Sequence, residues 1–202
     1  RTLNKEIIMI KPIILTASLF SISTIPAFVA AEETPLDRFG MSFSLDLMMG
    51  GEELAAIEFD DGSEESVKAG SGIGFGAGVS YQVDDHIKAE ARMSYLSDSA
   101  SGDTVTGSTI TYDFTRYPVD VMGFYQHGKH SIGAGMTYHM SPTLSGEGES
   151  YDFDSALGTI LEYRFFYSNK ATINLKMVNI DYDYKTVSFD GNSFGIGIAG
   201  HF

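Results

Sequence analysis

From Ser193 to Phe202 the chain places Phe194, Ile196, Ile198 and Phe202 on one parity and Gly195, Gly197, Ala199 and His201 on the other. A period of two belongs to a strand with one apolar face and one small or polar face. The same pattern recurs along the chain until eight such segments are counted. That repetition limits the fold to sheets that present an apolar face on every strand.

The first segment runs from about Arg38 to Met48, with Phe39, Met41, Phe43, Leu45 and Leu47 apolar and Asp46 on the opposite face. The second sets Ile73, Phe75, Ala77, Val79 and Tyr81 against five alternate glycines from Gly70 to Gly78. In the third, Ile87, Ala89, Ala91, Met93 and Tyr95 oppose Lys88, Glu90 and Arg92. The fourth centres on Tyr117 to Tyr125 and carries Arg116 and Asp120 on its polar face. The fifth pairs Ile132, Ala134, Met136 and Tyr138 with Gly133, Gly135, Thr137 and His139. In the sixth, Leu157, Leu161, Tyr163 and Phe165 oppose Glu162 and Arg164. The seventh sets Ile173, Leu175 and Met177 against Thr172, Asn174 and Lys176, and the eighth is the segment at Phe202. Each apolar face spans the 9–11 residues that a tilted strand needs to cross a bilayer.

Connections alternate in length. Gln82 to His86, Gln126 to His130 and Phe166 to Lys170 read as short turns. Long polar segments lie between them, from about Gly50 to Val67, Ser97 to Ser108, Ser141 to Asp154 and Asp183 to Asn192. Asp61-Gly62 and Asp190-Gly191 read as hairpin tips. The apolar parity changes between Phe114 and Tyr117, where Pro118 follows, and again between Met177 and Ile180-Tyr182. A β-bulge near Arg116 would absorb the first change.

A terminal Phe closing an alternating strand resembles the C-terminal signature of bacterial outer-membrane β-barrels, read by their assembly machinery; Phe202 is then the assembly signal. The other end agrees with this resemblance. From Met9 a basic start, an apolar run from Ile13 to Phe20 and a small-residue end at Ala31 form a secretory signal. Residues 1–8 read as upstream extension, 9–31 as signal peptide and 32–202 as the barrel. The whole of that last part is similar to the small eight-stranded class that holds the OmpA barrel, OmpX and OmpW. The implied fold is all-β: an eight-stranded antiparallel transmembrane up-and-down barrel, both ends periplasmic and the long loops extracellular. Implied roles are surface interaction, envelope stability or passage of small solutes, in a monomer of the Gram-negative outer membrane.

Composition excludes several alternatives. Residues 32–202 carry 10 basic and 26 acidic side chains, a formal charge of −16. Nucleic acid, which needs a basic footprint, is excluded as a partner. Cysteine is absent, so no disulfide framework exists. The alternating glycines lack the spacing of a nucleotide-binding loop.

In such a barrel the polar face fills the interior. Lys88, Glu90, Arg92, Arg116, Asp120, Glu162, Arg164 and Lys176 are therefore expected to form an interior charge network, with glycines making room for them. Eight strands leave an inside just wide enough for side chains, so a plugged lumen is expected and a narrow conduit is the alternative. Tyr81, Tyr125, Phe165 and Phe202 are assigned to one interfacial aromatic girdle, and Tyr95, Tyr112, Tyr138 and Tyr182 to the other. Glu52, Glu53, Glu58, Asp60, Asp61, Glu64 and Glu65 crowd the first long loop, and Glu147, Glu149, Asp152 and Asp154 the third. They read as solvated charge facing lipopolysaccharide, with divalent cations bridging to its phosphates as the alternative.

Some barrels of this size deacylate lipid A through His-x-Ser-Asn with an acidic partner. Here Tyr167-Ser168-Asn169 follows Phe166 instead of His, and His139-Met140-Ser141 is followed by Pro142 instead of Asn. Two residues, His139 and Ser141, do not specify a triad. The expected protein is non-enzymatic, with no catalytic residue, metal or cofactor, and a lipid A hydrolase using His139 and Ser141 is the lesser alternative.

Overall fold

The computed structural model describes residues 38–59, 64–103 and 109–202. The segments 1–8 and 9–31 and the Asp61-Gly62 tip lie outside them. The elements are β1 (Phe39–Gly50), β2 (Glu53–Glu58), β3 (Glu64–Lys68), β4 (Gly72–Gln82), β5 (Ile87–Asp103), β6 (Thr109–His127) and β7 (His130–Gly146). They continue as β8 (Glu149–Asp152), β9 (Ala156–Ser168), β10 (Ala171–Asn179), β11 (Asp181–Tyr184), β12 (Val187–Asp190) and β13 (Ser193–His201).

Eight of these strands close on themselves in the order β1-β4-β5-β6-β7-β9-β10-β13, every neighbour antiparallel, and β13 pairs back onto β1. The remaining five lie between barrel strands at one end: hairpins β2–β3 and β11–β12, and β8, which extends the sheet beside β7. The opposite end carries tight turns. In the turn before β5, Asp84 Oδ1 accepts the backbone N–H groups of His86 and Ile87, each at 2.8 Å. Those two bonds hold the Asp84 carboxyl below the usual carboxylate range. Phe202 sits at the turn end, exchanging both backbone bonds with Met41 at 2.9 Å and meeting Phe43 edge-on at 6.2 Å.

Alternation decides what each face meets. Phe43, Leu45, Phe75, Val79, Met93, Val121, Ile132, Leu157, Ile173 and Ile198 all face outward and are exposed. A ring of apolar side chains this continuous is unfavourable in water and matches the acyl layer of a bilayer. The opposite parity turns inward and holds nearly all the buried charge. Outward aromatics meet across strands, as Phe39 with Tyr81 at 5.1 Å and Tyr95 with Tyr117 at 5.6 Å.

Three local expectations are corrected. Even-numbered residues of β6 point inward throughout, so Phe114, Arg116 and Pro118 share the buried face and the strand does not flip. Likewise Val178, Ile180 and Tyr182 continue the inward parity of Lys176. Tyr112 and Tyr182 are therefore not girdle residues: Tyr112 packs against the apolar cluster at the loop end, and Tyr182 is 1 % exposed and points into the lumen. The physical reason is an inward-facing apolar layer near the loop end, where apolar no longer means lipid-facing. Third, the β11–β12 tip is Lys185-Thr186, because Tyr184 pairs with Val187 and Asp181 with Asp190.

A register shift does occur opposite Arg116, between Thr115 and Tyr117, but the extra residue is carried by β7 at Ser141-Pro142. Ser141 takes up the irregularity with φ 46°. That conformation costs a non-glycine residue about 1 kcal/mol. Ser141→Gly is expected to stabilise the barrel by about 0.5 kcal/mol, glycine's freedom in the unfolded chain offsetting part of the gain. The midpoint of urea unfolding, followed by heat-modifiable gel migration, measures it.

Candidate functional site: the filled lumen

The lumen holds charge because strands β5 and β9 place charged residues two apart on their inner faces. Arg164 on β9 reaches across to Glu90 on β5 with two bonds, Nη1–Oε2 and Nη2–Oε1, both 2.7 Å. Its Nε donates to Glu162 Oε1 at 2.6 Å. Glu162 Oε2 accepts from Arg92 Nη2 at 2.9 Å, and Arg92 also donates to Asp120 Oδ2 at 2.8 Å. Thr137 Oγ1 completes the line by donating to Asp120 Oδ1 at 2.6 Å. Lys88, near the turn end, lies 3.8 Å from Glu90. The guanidinium of Arg164 stacks 3.9 Å above the Phe124 ring. Gly133 on β7 makes room for that ring, which occupies the position a Cβ there would take.

Glu162, Arg164, Glu90 and Arg92 are at most 3 % exposed. Charges so far from water persist only when each is paired and hydrogen-bonded. A second pair completes the wall on the other side: Lys176 Nζ meets Asp46 Oδ2 at 2.6 Å, and Ser44 Oγ donates to the same oxygen at 3.1 Å. β10 and β1 are separated there by β13, whose Gly197 lets the Asp46 carboxylate lie over it.

Of the eight residues assigned to the network, seven make ion pairs inside the barrel: Lys88, Glu90, Arg92, Asp120, Glu162, Arg164 and Lys176. Arg116 stands apart. It is fully buried, donates from Nη1 to the Ala69 carbonyl at 2.5 Å and from Nη2 to the Ser71 carbonyl, and lies over the Phe114 ring at 4.6 Å. Its partners come from the segment that returns from β3 into the barrel.

Around Arg116 the loop-end strands build a cap. Val67, Ala69, Leu96, Phe114, Leu144, Phe153, Ile180 and Tyr182 form one apolar cluster with Arg116 beneath it. Phe114 contacts Phe153 and Tyr182 edge-on at 5.4 and 5.6 Å. Backbone bonds tie the connecting segments together: Glu52 N to Asp190 O at 2.6 Å, Ala69 N to Glu52 O at 2.8 Å and Asp154 N to Asp183 O at 2.9 Å. At the hairpin base, partial burial and then the carboxylates of Asp190 and Asp183 push Asp181 up. A carboxyl raised in the folded state contributes stability below its unfolded pKa and loses it as pH rises through the folded value. The β11–β12 hairpin is therefore expected to be cut more slowly by protease in mild acid than at neutrality, relative to the rest of the chain.

The residues weighed for hydrolysis are separated by this geometry. His139 is 4 % exposed, inside the lumen, with Nδ1 bonded to the Tyr182 hydroxyl at 2.6 Å. Ser141 is exposed at the bulge, on the outer side of the strand. Among the described residues no three His, Asp or Glu side chains are grouped to hold a metal ion. The sequence places Asp46 in the lumen and sets Thr172 and Asn174 on the same inward face as Lys176, where the structure has them; it misses Tyr182.

No protein-family model matches the chain, and no curated protein does. Solved structures do. The outer membrane protein OprG of Pseudomonas aeruginosa superposes with a TM-score of 0.51 at 12 % identity, over 82 % of this chain and 96 % of that one. The attachment invasion locus protein Ail of Yersinia pestis, solved with the heparin analogue sucrose octasulfate, gives 0.48 at 13 %, over 82 % and 97 %. Neisserial surface protein A gives 0.48 at 10 %, over 81 % and 97 %. The OprG match gives the fold: a small eight-stranded outer-membrane β-barrel.

Proposed function

We propose that the chain is a non-enzymatic barrel of the Gram-negative outer membrane, with a plugged lumen and a structural or surface-interaction role. The hairpins β2–β3 and β11–β12 are then extracellular and the tight turns periplasmic. One observation carries this reading: the ion-pair line from Glu90 to Asp120 crosses the lumen and the apolar cap lies above it. What remains for interaction is the outer rim, where Glu53, Glu64, Glu65, Glu149, Asp152, Asp154, Asp183 and Asp190 are exposed. Such a rim repels anions and favours cationic partners through long-range attraction that weakens with salt. The outer apolar belt binds membrane lipid, and Phe202 serves the assembly machinery.

Single-channel conductance of the folded barrel in a planar bilayer tests the reading. The expected result is silence from protein that shows heat-modifiable migration. Reproducible steps that change when Arg92 or Glu162 is neutralised would overturn it in favour of a conduit. Lipid A of unchanged mass in expressing cells is the expected result for the non-enzymatic part.

A further inference from the structure

The aromatic packing of the cap continues past its buried members. Phe153 meets Tyr184 at 5.4 Å and Phe189 at 5.8 Å, and Tyr184 meets Tyr151 edge-on at 6.0 Å. Burial falls along this row: Phe153 is buried, Tyr184 half-buried and Tyr151 exposed. Strand pairing explains why the rings share a side. Tyr151 stands opposite Leu144 of the cap, and Tyr184 lies two residues from the inward Tyr182.

Rings at a water-facing rim offer π faces, and a π face attracts cations. This row carries a cation at each end. At the buried end the Arg116 guanidinium lies 4.6 Å from the Phe114 ring and 6.0 Å from that of Tyr182. At the exposed end Lys185, on the hairpin tip, sets its ammonium 4.7 Å from the Tyr184 ring. A carboxylate stands beside the outermost ring. The Tyr151 hydroxyl donates to Glu149 Oε2 at 2.5 Å, and the two residues share one face of β8.

Charge selects the occupant. Residues 147–155 and 181–190 carry seven carboxylates and one cationic side chain, Lys185. A basic segment gains from ring and carboxylate together. Arginine gains most, because its planar guanidinium stacks on a ring while donating to an acid.

We propose that Tyr151, Tyr184 and Glu149 form a docking face for an arginine- or lysine-rich segment of a partner protein, and that Lys185 occupies it in cis until the partner displaces it. An exposed stack of this kind is weak, so an incoming arginine displaces the lysine at little cost. The acidic rim supplies the long-range attraction and the rings supply the seat. The inference rests on the surface-interaction reading of the rim.

Fluorescence anisotropy of a dye-labelled hexa-arginine peptide, titrated with the folded barrel in uncharged detergent micelles, tests it. Tyr151→Leu combined with Tyr184→Leu changes no charge and is expected to weaken binding about tenfold. Tyr184→Phe keeps the ring and is expected to bind like the parent; a loss equal to that of the leucine pair overturns stacking. Heat-modifiable migration checks that each variant is folded. Should the pair impair folding, Tyr151→Leu alone, at an exposed position, is expected to weaken binding roughly threefold. Binding unchanged in the leucine variants overturns the docking face and leaves the acidic rim as the attraction. No binding to the parent at low salt overturns the surface-interaction reading as well. Lys185→Ser is expected to bind more tightly, and that gain is expected to shrink when Tyr184 is replaced by Leu. A gain of equal size in both backgrounds would be charge alone and overturns the role of Lys185.

Discussion

Arg164→Met is expected to cost the folded barrel about 3–5 kcal/mol, lowering the folding equilibrium constant by roughly two to four orders of magnitude. Arg164 is 1 % exposed and supplies three of the bonds that hold Glu90 and Glu162. Without it Glu90 keeps, among the described residues, only the distant contacts of Lys88 at 3.8 Å and Arg92 at 3.9 Å. The penalty is that of a buried carboxylate left short of partners, more than the net worth of the pair. A charge-balanced double replacement, Glu90→Met with Arg164→Met, is therefore expected to be less damaging than the single change. Urea unfolding followed by gel migration compares the two. A double variant weaker than the single one would mean that the network stabilises by more than mutual neutralisation.

Arg116→Ala is expected to release the cap while leaving the barrel closed. The change strips a charged donor from the carbonyls of Ala69 and Ser71 and removes the cation stacked on Phe114. Hydrogen bonds to a charged group contribute about 1.5–3 kcal/mol each, so the local loss is about 3 kcal/mol or more. Limited proteolysis of the folded protein is the measurement. New cuts are expected between Glu64 and Ser71 and in the β11–β12 hairpin, with heat-modifiable migration retained. A cleavage pattern identical to the parent would show that the apolar cluster holds the segment without Arg116.

These two arginines mark the boundary of what the sequence makes legible. Strict alternation around Arg92 and Arg164 is enough to put both inside a barrel, because parity and lipid together leave no other face for them. Alternation does not say that Arg164 reaches Glu90, since partners across a lumen depend on how far the strands are staggered. At Phe114, Ile180 and Tyr182 the rule itself stops working. Above the acyl layer an apolar side chain gains as much by facing the cap as by facing outward, so parity no longer reports the face. Asp190-Gly191 shows the same limit in a turn. Its composition suits a hairpin tip, yet Gly191 is needed where the Tyr182 ring crowds the backbone, and the turn forms at Lys185-Thr186.

The seam between β1 and β13 joins Ser42 to His201, so the first and last strands of the ring meet only when all between them are in place. Contacts so distant in sequence carry the full entropy of closing the loop and form late. The bonds from Arg164 to Glu90 and from Arg92 to Glu162 span the same ring. An unclosed sheet would keep the local pairs Arg164–Glu162 and Arg92–Asp120 but present these charges to the membrane without their partners across the lumen. Closing the ring is consequently expected to bring the cross-lumen charges together late, so that insertion and closure are coupled.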